Sequence, residues 1–110
     1  MKLVEQRCIH GAPALSAAEA AALLAQLPAW RRIDGRIERA YAFKDYHETI
    51  AFVNALAWMT HQQDHHPELA VTYNSCTASY STHSAGGKLT GNDFICAARA
   101  DALYAQRAGA

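Results

Sequence analysis

The chain has 110 residues, enough to bury one hydrophobic core and too few for two, so residues 1–110 are read as a single domain. Hydrophobic residues make up 51% of it and charged residues only 18%, which excludes an intrinsically disordered chain. Ten Lys and Arg balance ten Asp and Glu with no basic block, so the electrostatic footprint needed to hold nucleic acid directly is missing.

Met1 to His10 mixes charges without an apolar run and does not read as a signal peptide. Ala17 to Leu27 is rich in Ala and Leu, but Glu19 and Gln26 interrupt it and it is too short to span a bilayer. A cytoplasmic protein without a membrane partner is expected. Cys8, Cys76 and Cys96 are odd in number and far apart, with no CxxC, which argues against a disulfide framework or a thiolate zinc site. They read as inert thiols in a reducing compartment.

The first helix signal is Ser16-Ala17-Ala18-Glu19, a capping box, followed by Ala20, Leu23, Leu24 and Leu27 at helical spacing and closed by Pro28. Asp34-Gly35 lies between two extendable segments and predicts a hairpin, with Ile37, Arg39 and Tyr41 alternating against Glu38, Ala40 and Ala42. A second helix is expected from Asp45, as N-cap, to about Asp64, since Ile50, Phe52, Val53, Leu56, Ala57 and Met59 form an apolar face and Pro67 forbids continuation. Leu69 to Ser81 is β-favouring, either as two strands joined near Asn74-Ser75 or as one long bent strand. Thr90 and Asp93 form another capping pattern and start a last helix carrying Phe94, Ile95, Ala97, Ala98, Leu103 and Tyr104, which frays after Arg107. The order α-β-β-α-β-β-α predicts an α+β fold, a four-stranded antiparallel sheet with three helices packed on one face.

Chemistry concentrates in Asp64-His65-His66-Pro67 and in Thr82-His83-Ser84-Ala85-Gly86-Gly87, which one hairpin could bring together. An imidazole with a pKa near 6.5 can give or take a proton at neutral pH, so three converging on one pocket point to proton transfer or to a metal. His61 and His65 are four apart and share a face if the helix continues, and with His83 they could hold zinc. Gln62, however, stands where HExxH proteases carry their glutamate. The helix end favours proton transfer: its dipole stabilises imidazolium, and Asp64 could fix a ring tautomer. Gly86-Gly87 permits close backbone approach to a flat ligand.

Taken together, Asp64-His65-His66-Pro67-Glu68, Tyr73-Asn74, Thr82-His83, Gly86-Gly87, Leu89-Thr90 and Asp93, with Trp30 and Phe43-Lys44-Asp45-Tyr46 upstream, resemble the pterin-4a-carbinolamine dehydratases from about Leu15 to Leu103. Two departures stand out. Lys88 is an extra residue before Leu89-Thr90, and His61 replaces a carboxylate that many relatives carry. The resemblance implies a cofactor-free enzyme, with no metal, that dehydrates 4a-hydroxytetrahydropterin to quinonoid dihydropterin in recycling the cofactor of aromatic amino-acid hydroxylases. It implies His65 and His83 as acid and base, His66 binding or assisting, and Asp64, Pro67, Thr82, Ser84 and Ala85 around the pterin. Trp30 either closes that pocket or belongs to the core. The implied partners are further copies of the chain, as homodimer or homotetramer, and a hydroxylase. A second reading, from another class, is an interaction protein of the same fold that acts as dimerisation partner of a transcription factor.

Overall fold

The computed structural model describes residues 1–107. The fraying expected after Arg107 falls outside the described residues. The first helix starts where its capping box places it: Ser16 Oγ accepts the Glu19 N–H and Glu19 Oε1 accepts the Ser16 N–H. That helix, α1 (Ala17–Leu24), is shorter than its apolar spacing implied. Its last turn tightens, with the Leu27 N–H donating to the Leu24 carbonyl, and Leu27 is buried from outside the helix.

Strands β1 (Arg31–Ile33) and β2 (Arg36–Ala42) pair antiparallel across Asp34-Gly35, with Ile33 opposite Arg36. Asp34 takes the left-handed conformation at φ 54°. Gly35 is needed for room instead: a Cβ there would lie 2.2 Å from the carbonyl oxygen of Gly87. The hairpin tip is therefore seated against the glycine turn that follows Thr82. Gly35→Ala is expected to lower stability by about 1–3 kcal/mol, the usual cost of overpacking against backbone. Chemical denaturation would register this as a lower midpoint; an unmoved midpoint would show that the two turns do not hold each other.

Helix α2 (Tyr46–Gln63) begins at Asp45, whose side chain accepts the Glu48 N–H. The segment after Pro67 is two strands, not one bent one. They are β3 (Glu68–Val71) and β4 (Ser75–Tyr80), joined by a turn in which the Thr72 N–H donates to the Ser75 carbonyl. The sheet order is β1-β2-β4-β3, every pair antiparallel. Helix α3 (Gly91–Ala105) starts at the predicted Thr90 cap.

Side-chain alternation separates the two faces of the sheet. Ile37 and Tyr41 of β2 and Cys76, Ala78 and Tyr80 of β4 are fully buried on one face. Phe52, Leu56 and Met59 of α2 and Phe94, Ile95, Ala97 and Ala98 of α3 complete that core. Each large apolar side chain removed from water there contributes about 1.5–3 kcal/mol. Trp30 is part of it, 4% exposed, and donates its indole N–H to Asp101 of α3. Arg39 and the Tyr41 hydroxyl donate to the same carboxylate oxygen, which ties α3 to the sheet.

The β3 edge is less complete. Leu69 and Val71 pair with Ala78 and Cys76 and so lie on the helix side, yet they are 37% and 39% exposed. Trp58 of α2 and Tyr73 in the β3–β4 turn are also largely exposed. Among the described residues no helix is long and apolar enough to cross a membrane.

Candidate active site

Helix α2 ends at Gln63, and one residue, Asp64, separates it from the histidine pair. Asp64 adopts a left-handed conformation, φ 51° and ψ 42°, and the His65 N–H folds back onto the Thr60 carbonyl at 3.2 Å. This closure satisfies carbonyls that the helix end would otherwise leave unpaired, and a short polar Asp tolerates the required φ. It also takes His65 off the face shared with His61. His61 stays exposed and stacks on Trp58, with ring centroids 6.5 Å apart. The His61–His65 ligand pair that the spacing allowed therefore does not form. Among the described residues no three His, Cys, Asp or Glu side chains converge to hold a metal ion.

The freed His65 turns inward. Its side chain is 11% exposed, its ring stacks nearly parallel on Tyr80 at 5.7 Å, and Nε2 lies 2.6 Å from Asp93 Oδ1. Asp93 is fully buried, and its other oxygen accepts from the Thr82 hydroxyl at 2.8 Å and the Thr90 N–H at 2.9 Å. A carboxylate only accepts, so the imidazole proton on this side belongs to Nε2 and the other ring nitrogen, Nδ1, is free for exchange. Burial of the ring opposes its charged form, but the hydrogen bond and charge of Asp93 outweigh this and hold His65 above its ordinary value.

Asp93, named in the sequence only as a helix cap and as part of the family resemblance, is the site neighbour whose contact with His65 was not foreseen. One of its carboxylate oxygens does perform the capping task. The second oxygen, buried with it, had to find a donor, and only the fold brings His65 within reach.

The three imidazoles do not open into one hollow. His65 lines one of about 290 Å³ together with Asp64, Thr82, Ser84 and Cys8. His66 and His83 line another of about 240 Å³, with Glu68, Ser79, Ser81 and the glycine pair's Gly87. Though adjacent in the chain, His65 and His66 line different hollows, and so do Thr82 and His83. The two hollows thus back onto the same two short segments. Thr82 is buried by its bonds to Thr90 and Asp93, whereas Ser84 is exposed and Ala85 half-buried in a 3-10 turn (His83–Ala85). Pro67 is half-buried at the start of β3. Trp30 stands apart from these residues, in the core.

A small α+β protein with a buried His–Asp pair and two further imidazoles at one end of its sheet is equipped for proton transfer. Residues 13–103 match the family model described as pterin 4 alpha carbinolamine dehydratase. The chain is 53% identical over 97 residues to a protein of Nitrosomonas eutropha provisionally named pterin-4-alpha-carbinolamine dehydratase, covering 87% of this chain and 85% of that one. A Chromobacterium violaceum protein with the same provisional name is 48% identical over 106 residues, covering 94% and 97%. Among solved structures, a Brucella melitensis protein titled transcriptional coactivator/pterin dehydratase superposes with a TM-score of 0.77 at 29% identity, over 82% of this chain and 97% of that one. The chain belongs to the pterin-4a-carbinolamine dehydratase family.

Proposed function

We propose that this protein dehydrates a 4a-hydroxytetrahydropterin to the quinonoid dihydropterin, with His65 as general acid and His83 as general base. In the reaction the bond from C4a to its hydroxyl breaks, the oxygen leaves as water after gaining a proton, and N5 gives up its proton as the C4a–N5 double bond forms. Two positioned proton-transfer groups suffice, and the step asks for no Lewis acid. The observation that carries the reading is the His65–Asp93 pair, buried at 2.6 Å within the span matched to the family. Asp93 favours the imidazolium form that an acid must have near neutral pH, and it directs Nδ1 to the substrate. The pterin is placed over the Thr82–Ala85 turn, at the rim where the two hollows back onto each other, within reach of His65 from one and of His66 and His83 from the other, and Asp64, Pro67 and Ser84 border it. His66 binds or assists.

The test is direct. Synthetic 4a-hydroxytetrahydropterin, followed by ultraviolet absorbance, should lose water far faster with catalytic amounts of the protein than without. An uncatalysed rate would leave the interaction-protein reading, which needs none of the three imidazoles, as the better one.

The same proposal includes self-association, in a cytoplasmic setting, to serve a pterin-dependent hydroxylase. What supports it is the β3 edge, whose unpaired backbone groups adjoin the exposed Leu69 and Val71. Sedimentation equilibrium at micromolar concentration should give a dimer or tetramer mass; a clean monomer would remove this part.

A further inference from the structure

The sequence separates Cys8 from Cys96 by 88 residues, but the fold places their Sγ atoms 3.5 Å apart. Both are free thiols. Cys8 belongs to the irregular segment before α1, and this segment is strapped across α2 and α3. Its own N–H donates to Gln63 Oε1 at 2.9 Å, and the neighbouring Ile9 exchanges two hydrogen bonds with the Asn92 side chain. On the other side Arg99 of α3 holds the Gln6 carbonyl. The strap is thus anchored before and after Cys8, and its thiol is directed at α3.

The two thiols differ in access. Cys8 is half-buried and lines the hollow that contains His65, so it is the first of the two thiols that a small molecule entering that hollow meets. Cys96 is fully buried behind it, and its sulfur sits 3.9 Å from the His65 carbonyl oxygen. A half-buried, hollow-lining thiol that meets the oxidant, backed by a fully buried one that resolves the product, suits a redox-responsive cysteine pair. Cys76, the third thiol, is buried on β4 and has no such partner among the described residues.

We propose that Cys8 and Cys96 form a reversible redox pair, in which a hydroperoxide oxidises Cys8 and Cys96 then closes an intramolecular disulfide that staples the N-terminal segment to α3 beneath His65. In the first step the Cys8 thiolate attacks one peroxide oxygen, the O–O bond breaks, and the departing oxygen leaves as water or an alcohol. In the second the Cys96 sulfur attacks the Cys8 sulfenic sulfur, the S–O bond breaks, and hydroxide leaves with the Cys96 proton as water. Two thiols lose two electrons to one peroxide, and an external thiol reverses the change.

The local electrostatics favour this division of roles. The Cys96 hydrogen bond, with the positive charges of His65 and Arg99, holds the Cys8 thiol below its ordinary value although burial and Asp93 act the other way. Cys96 is pushed up, by its bond to Cys8 and by burial. Closure must bring the sulfurs from 3.5 Å to about 2.05 Å, a movement the irregular backbone around Cys8 can supply more easily than α3.

The experiment treats the reduced full chain with hydrogen peroxide, then counts thiols in denaturant and measures intact mass. The expected result is a fall from three thiols to one, loss of two hydrogens from the mass, and a linked peptide containing Cys8 and Cys96. Closing so long a loop should raise Tm by about 5–15 °C, reversed by dithiothreitol. Cys8→Ser, a change at a half-buried position, should show neither the thiol loss nor the Tm shift. Persistence of all three thiols, overoxidation of Cys8 to the sulfinic acid, a disulfide between chains, or an unmoved Tm would each overturn the proposal.

Discussion

Replacing His65 or His83 by alanine is expected to lower dehydratase turnover by about 10²- to 10⁴-fold, the usual contribution of one positioned acid or base. The double replacement should cost less than the product of the two, because groups that serve one elimination are not independent. His61→Ala is the control: that ring is exposed on α2 and stacks on Trp58, away from the two hollows. Its activity should stay close to that of the parent protein. Steady-state kinetics on the carbinolamine would check all four variants, and near-parental turnover in the double variant would remove the mechanism.

Asp93→Ala should have the largest effect on stability, about 3–5 kcal/mol, the range for breaking a buried charged pair by deleting one partner. The loss leaves His65 Nε2, the Thr82 hydroxyl and the Thr90 N–H without their acceptor, and α3 loses half of its capping box. Urea denaturation would measure it. The milder Asp93→Asn keeps a hydrogen-bonding side chain but removes the charge, and its signature is in the pH dependence. Because folding raises the His65 pKa, the stability it contributes is fully present below the unfolded value of about 6.5 and is lost as pH rises through the raised folded value. The activity that depends on protonated His65 falls over the same interval. Asp93→Asn should therefore move the alkaline limb of both profiles toward lower pH, and a proton NMR titration of the His65 ring should show the same shift. An unmoved limb would mean that Asp93 serves α3 and not the imidazole.

Local chemistry was legible wherever one short segment decides its own conformation. Ser16–Glu19, Asp45 and Thr90–Asp93 start the three helices because the side chain that satisfies each free N–H lies within three residues of it. Alternation in Ile37 and Tyr41, and the Asp34-Gly35 turn, likewise announce the first hairpin. The histidine-bearing motifs were visible too, since residue type and order carry the resemblance to the dehydratases without any fold. What these local patterns left open was how the pieces face each other. Whether α2 runs through His65 depended on Asp64 entering the left-handed region, which a local pattern allows but does not require. Trp30 was compatible with a pocket or a core until Asp101, 71 residues away, took its indole N–H. The same holds for Asp93 and His65, 28 residues apart, and for Cys8 and Cys96, 88 apart. Burial obliges a polar atom to find some partner, but only the packing of α3 against the sheet and the N-terminal strap determines which one it finds.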